Sequence, residues 1–184
     1  MRKIALIASA ALLLAGPAHA AGLVSAYTDL DLDQCVETDT DEVGATYECE
    51  GLNGIPITVS EGDLRMTVSY GDNARDEPAM GQGFGAFNRL GAKIEWLSPA
   101  DKPDEPVATI LRWYLQQAEG PGESQILVVT QLKPGAVCQV AWVDATANQG
   151  ANEIARQAAV ELAGFYDCGG MPQIYGEFEA FEIE

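Results

Sequence analysis

Histidine and positive charge are what this chain has least of: one histidine, His19, and ten Lys and Arg against 28 Asp and Glu, a formal charge of -18 over 184 residues. Such a chain has few groups with which to neutralise phosphate, so nucleic-acid backbones and anionic lipid surfaces are excluded as general partners. Beyond the first twenty residues there is no long apolar run, so no later segment is suited to cross a bilayer as a helix. Cysteines number four and no internal repeat is visible.

The opening residues explain part of this distribution. Arg2 and Lys3 precede the apolar run Ile4 to Leu14, and Ala18-His19-Ala20 follows as a small-x-small cleavage pattern, so residues 1-20 read as a signal peptide. The run is too short for a membrane anchor and is broken by Gly16 and Pro17, and no cysteine near the cleavage point is placed to carry a lipid. The mature chain is therefore expected to be periplasmic or secreted, with no transmembrane segment. Removing residues 1-20 takes away two of the ten bases, no acid and the only histidine, which moves the formal charge from -18 to -20. Without imidazole, Ser-His-Asp and Cys-His mechanisms and the usual His-containing zinc sites are excluded.

Cys35, Cys49, Cys138 and Cys168 all lie in the exported part, and an even count in an oxidising compartment favours disulfides. Three pairings are possible. Cys35 and Cys49 stand symmetrically about Glu42 in a stretch that reads as two strands around an acidic turn, which favours Cys35 with Cys49 and leaves Cys138 with Cys168.

From Tyr27 to Val143 short strands alternate with turn residues, among them Gly51-Leu52-Asn53-Gly54, Glu61-Gly62-Asp63 and Lys133-Pro134-Gly135. Ile55, Ile57 and Val59, and then Leu64, Met66, Val68 and Tyr70, recur at every second position, as outer strands with one wet face do. Val107 to Leu115 and Ile126 to Leu132 are apolar on both faces and should be central strands, joined as a hairpin across Gly120-Pro121-Gly122. After the strand Val137 to Val143, Asp144 is a plausible N-cap, and Ile154, Ala158 and Leu162 predict one helix over 147-163 that stops at Gly164. Val140 and Trp142 share the Cys138 face by strand alternation and are expected against that helix. The fold class is α+β: a mainly antiparallel sheet with one C-terminal helix packed on it and two disulfides. Residues 21-168 form the single globular domain, and 169-184 read as an acidic, poorly ordered tail.

Candidate chemistry is sparse. Nine acids stand between Asp29 and Glu50 with no base, and Asp29, Asp31 and Asp33 resemble the start of a calcium loop, but Gln34 and Thr40 occupy its sixth and twelfth positions. Counting from Asp39 improves the match at Gly44 and Glu50 and fails at Val43. The alternation from Asp29 to Asp33 reads instead as a half-exposed strand, so no cofactor is expected and calcium is the only metal the pattern raises. Gly81-Gln82-Gly83-Phe84-Gly85-Ala86 satisfies a dinucleotide-binding spacing without the strand and helix that spacing requires. The same long loop presents Phe84 and Phe87, and the tail presents Phe178 and Phe181 among glutamates; these four are the candidate partner-binding aromatics, set against a packed loop and a frayed terminus. Glu95 and Glu161 stand among apolar residues but are expected at the surface, and Trp96, Trp113 and Trp142 are expected in the core.

The function that follows is binding without catalysis: an exported accessory or inhibitor-like module for a basic envelope or extracellular protein. The alternatives are a histidine-independent enzyme working with carboxylates, such as a glycan hydrolase, and a structural envelope protein.

Overall fold

The computed structural model describes residues 22-117 and 122-181, so the reading of residues 1-20 as a signal peptide falls outside it, as do the Gly120-Pro121 turn and residues 182-184. Ten strands and one helix follow in order: β1 (Leu23-Asp29), β2 (Val36-Thr40), β3 (Gly44-Glu50), β4 (Pro56-Gly62), β5 (Arg65-Tyr70), β6 (Asn88-Pro99), β7 (Ala108-Gln116), β8 (Glu123-Lys133), β9 (Ala136-Asp144), α1 (Ala151-Leu162) and β10 (Gln173-Ile174). They form a six-stranded sheet in the order β1-β6-β7-β8-β9-β10 and a four-stranded sheet in the order β2-β3-β4-β5. All pairs are antiparallel except β10, which runs parallel to β9. The fold is thus the mainly antiparallel α+β class with a single helix near the C-terminus.

The large sheet is covered on both faces, which is why β7 and β8 read as apolar throughout. Leu111, Trp113, Ile126 and Val128 face the small sheet, where they meet Ile57, Val59, Val68 and Tyr70. Ile110, Leu127 and Val129 face the other way, onto α1. The helix presents Ala151, Ala155, Ala158 and Ala159 to that sheet, small side chains that allow a close approach. β7 and β8 pair from Ala108 with Gln131 to Gln116 with Glu123, as the hairpin reading required.

Both disulfides have the expected partners, Cys35 with Cys49 and Cys138 with Cys168. Four local readings are corrected. The helix begins at Ala151, not 147, because Gly150 at φ +84° interrupts the helical path, and Asp144 caps the preceding turn instead, accepting from the backbone N-H groups of Thr146 and Ala147 at 2.8 and 3.1 Å. Trp142 does not face α1. The register of β8 on β9 shifts between Val129 and Thr130, which places Val140 and Ala141 consecutively on the helix side and turns Trp142 toward the small sheet. The chain beyond Asp29 is a 3-10 turn at Leu32-Gln34, not a strand, with the Asp31 carboxylate accepting from Asp33 N-H.

The fourth correction concerns the tail. Residues 169-181 have a defined path: β10 pairs with β9, Asn148 exchanges hydrogen bonds with the Glu177 backbone, and Glu179 N-H donates to buried Asp144. Phe178, Ala180 and Phe181 then pack against the core. An acidic composition misleads here because Phe178, Ala180 and Phe181 turn inward while Glu177 and Glu179 beside them stay exposed.

Tyr70, only 2% exposed, lies at the edge of this core with its ring 5.6 Å from that of Trp96. Burial raises its phenol from the ordinary 10 to about 12. The raised value means that the unfolded chain loses this proton first, so the contribution is fully present below pH 10 and is lost as pH rises through 12. Two units correspond to about 3 kcal/mol. Tyr70→Phe should therefore flatten the fall in urea-unfolding free energy between pH 10 and 12; an unchanged slope would show that the phenol is not held neutral.

Candidate functional site

The glycine-rich stretch Gly81-Ala86 opens no helix: it follows a 3-10 turn at Pro78-Gly81, bridges β5 through Thr67 and Gly83, and runs on into β6. It is instead stitched to the large sheet. The Gln82 side chain accepts from Gln139 N-H at 2.7 Å, its backbone carbonyl accepts from the Gln139 amide at 2.8 Å, and Gln139 in turn accepts from the Trp142 indole at 2.7 Å. Phe84 is consequently core, 5% exposed, with its ring 5.3 Å from Trp113, 5.0 Å from Trp142 and 5.8 Å from Phe181. Phe178 stacks edge-on against Phe181 at 5.0 Å. Of the four candidate aromatics, three are thus joined in one packed cluster, and Phe87, 40% exposed, is the one left at the surface.

Around Phe87 the chain builds a continuous surface that the sequence reading did not assemble. The β2-β3 turn closes when the Asp41 carboxylate accepts from Val43 and Gly44 N-H, and the β4-β5 turn lies against it, Asp63 N-H donating to the Val43 carbonyl at 3.0 Å. Asp63 and Leu64 take φ values of +49° and +62°, a left-handed pair that glycine and asparagine adopt far more readily than leucine. The strained leucine is 61% exposed, next to Val43 at 70%. Leu64 accepts from Asn88 N-H, which brings β6 and Phe87 alongside, and the Arg65 guanidinium lies 4.7 Å from the Phe87 ring centre while donating to the Gly85 carbonyl and to Asp63.

Three depressions share these residues. One, among Asp41, Glu42, Glu61 and Asp63, reaches Leu64; a second runs from Leu64 past Phe87 to Arg89 and Tyr114; the third is a cleft of about 890 Å³ bounded among the described residues by Arg65, Phe84, Phe87, Leu115, Gln116, Gln117, Glu179 and Phe181. Its apolar wall comes from the buried aromatic cluster, and its rim carries the Arg65 guanidinium, the Gln116 and Gln117 amides and the Glu179 carboxylate.

The charge at this end is unbalanced. Arg65, Arg75, Arg89, Lys93, Lys102 and Arg156 are each ion-paired with a carboxylate, and none of those pairs involves Glu37, Asp39, Asp41, Glu42 or Glu61. β2, which carries two of the five, is an edge strand exposed along its whole length.

No protein-family model, curated protein or solved structure matches this chain. Its chemistry is therefore read from its own residues. Among the described residues no three His, Cys, Asp or Glu side chains gather closely enough to hold a metal ion. The stretch from Asp39 to Glu50 is the β2-β3 hairpin: Asp39 pairs with Thr46, which leaves Glu50 four residues farther along β3, roughly 13 Å away at strand rise.

The buried carboxylates are all engaged by the fold. Glu77 accepts from Gly135 and Val137 N-H at 2.6 and 2.9 Å, Asp144 from the turn and the tail, and Glu95 from Arg156 and Ser25. Glu95, expected at the surface, is 6% exposed because Arg156 reaches down from α1 to meet it. Glu161 is exposed as expected; hydrogen bonds from Tyr175 first and Gln157 second hold its carboxyl below the ordinary value.

Proposed function

We propose that this protein is an exported, non-catalytic accessory module that binds a basic protein of the envelope or extracellular space. The carrying observation is the surface at the β4-β5 turn, where exposed Val43 and Leu64 stand beside Asp41, Glu42 and Glu61, carboxylates outside every ion pair among the described residues, while Arg65, held by Asp63, lies over exposed Phe87. Apolar anchors beside a cluster of unpaired carboxylates suit a partner that presents an apolar side chain among lysines or arginines, with charge setting encounter rate and the anchors setting lifetime. Export through a cleaved N-terminal peptide, to a periplasmic or extracellular destination, belongs to the same proposal and agrees with the two disulfides. No specific observation favours the glycan-hydrolase reading, since each buried carboxylate already serves a structural donor.

Leu64 supplies the test. Leu64→Gly relieves the left-handed strain by about 1 kcal/mol, so the variant should melt about 3 °C higher and yet bind the partner at least tenfold more weakly. The assay is capture from an envelope extract by the oxidised mature chain, read by mass spectrometry at low salt and above about 0.4 M, where the Debye length falls near 5 Å. One basic protein retained in stoichiometric amount, released by salt and lost with Leu64→Gly, supports the reading. Retention no different from that of an equally acidic control protein sinks it.

A further inference from the structure

At the opposite end of the small sheet, where β4 begins and β5 ends, a separate cavity of about 370 Å³ opens between the two sheets. Ile55, Leu132 and Val137 line it from the apolar side, and Tyr70 lines it from within the core. Asn53 and Asp72 stand at its polar edge. This volume lies within the range of small-molecule sites, and the mixture of apolar wall and few polar groups is what such sites have in common.

The walls are tied down, so a ligand would have little to order. The turn after β8 is held by Glu77, whose two carboxylate oxygens accept from Gly135 and Val137 N-H. Gly71 N-H donates to the Pro56 carbonyl at 2.8 Å, and Gly51 N-H donates to the Ile55 carbonyl at 2.9 Å across the preceding turn. Within that turn Asn53 is kept at φ +53°, with its amide donating to Asp104 at 3.4 Å. A cavity framed by closed turns keeps its shape when empty, which lowers the entropic cost of filling it.

Charge narrows the occupant. Among the described residues the charged ones lining the cavity are Asp72 and Glu77, both acidic, with no lysine or arginine beside them. An anion would be brought into a negative, partly desolvated site with no counterion, while a cation or a neutral hydrogen-bonding head would not.

We infer that this cavity binds a small amphiphile with an alkyl or aryl body and a neutral or cationic head. The site is separate from the β4-β5 turn surface and does not depend on a protein partner.

Three probes of equal chain length and different head test it: hexanol, hexylammonium and hexanoate, titrated into the oxidised protein and followed by amide chemical shifts. Saturable shifts are expected at Gly54, Gly71 and Val137 with hexanol and hexylammonium, and at least tenfold weaker binding with hexanoate. Ile55→Trp should fill the cavity and abolish the shifts. Asp72→Asn, a change at the cavity edge, should bring hexylammonium down toward hexanol and leave hexanol itself unaltered. Equal binding of hexanoate, absence of saturation with all three, or shifts that persist in folded Ile55→Trp would overturn the assignment. Should Ile55→Trp fail to fold, an unchanged ratio of hexylammonium to hexanol in Asp72→Asn overturns it instead.

Discussion

Reducing both disulfides is expected to cost about 6 to 7 kcal/mol. In the chain-entropy picture Cys35-Cys49 and Cys138-Cys168, with sequence separations of 14 and 30, contribute about 3 and about 3.5 kcal/mol. A domain of this size has a net stability of about 5 to 15 kcal/mol, so the reduced chain should lie near or below the threshold of folding at 37 °C. The two bridges should not fail alike. Cys35-Cys49 joins two strands already paired across a short hairpin, whereas Cys138-Cys168 ties the chain beyond α1 back to β9, where buried Gln131 also holds it by accepting from Gly164 N-H and donating to the Ala136 and Tyr166 carbonyls. Loss of the second bridge loosens the route by which residues 173-181 reach the aromatic cluster, so Cys138→Ala with Cys168→Ala should also diminish the near-ultraviolet signal of Trp142. Guanidinium unfolding of oxidised, singly bridged and reduced protein measures this, and coincident midpoints for oxidised and reduced protein would show that the bridges constrain nothing.

Arg156→Met is expected to lower the melting temperature by about 10 °C, the equivalent of about 3 kcal/mol in a chain of this length. Arg156 binds Glu95 through two nitrogens, at 2.6 and 3.2 Å, and that contact foremost holds the guanidinium well above its ordinary pKa. The Glu95 side chain is 7% exposed and the Arg156 side chain 36%, so the two halves of the pair are not equivalent. Removing the arginine leaves a buried carboxylate with only Ser25 Oγ as a hydrogen-bond donor, while Glu95→Leu leaves an arginine that can turn to water and to Glu153. The single variants should therefore differ, Arg156→Met being the worse, and Glu95→Leu with Arg156→Met should recover most of the loss because the desolvation penalty disappears with both charges. Equal losses for the two singles would mean that the ion pair acts as an exposed one does.

Much of the architecture was legible. Alternation at Ile57-Val59 and at Met66-Val68-Tyr70 identified strands with an apolar face on the core, although β4 is an inner strand and Thr58 and Ser69 on the other face are buried as well; the unbroken apolar runs around Leu111 and Val128 identified the two central strands, because burial on both faces removes the need for polar positions. Trp142 and the helix start were misread for local reasons that strict periodicity cannot express: one bulge shifts every following side chain to the other face, and one glycine at positive φ ends a helical path that composition would extend. Glu95 was misplaced because its partner lies 61 residues away, on the helix.

The site divides in the same way. Phe84, Phe87, Phe178 and Phe181 could be picked out as aromatics in a long loop and an acidic tail, but their chemistry was decided by which of them found a partner. Three found one another and the tryptophans, and only Phe87 stayed in water. Leu64 carried a faint signal, a leucine directly after Gly62-Asp63 where a hairpin turn would favour glycine or asparagine; alternation reads it as the first apolar position of the strand, whereas it is an exposed turn residue and β5 begins at Arg65.

Composition and pattern determined the excess of negative charge, the chemistry denied to a chain whose only histidine is His19, and the antiparallel class, because each depends on residue counts or on neighbours a few positions apart; the cysteine pairing followed because one hairpin brings Cys35 to Cys49 and leaves only Cys138 with Cys168. Tertiary structure alone decided which carboxylates are neutralised, which aromatics are buried and where two turns from different hairpins meet to leave Val43, Leu64 and Phe87 exposed together, because those outcomes rest on contacts between residues tens of positions apart that no local preference encodes.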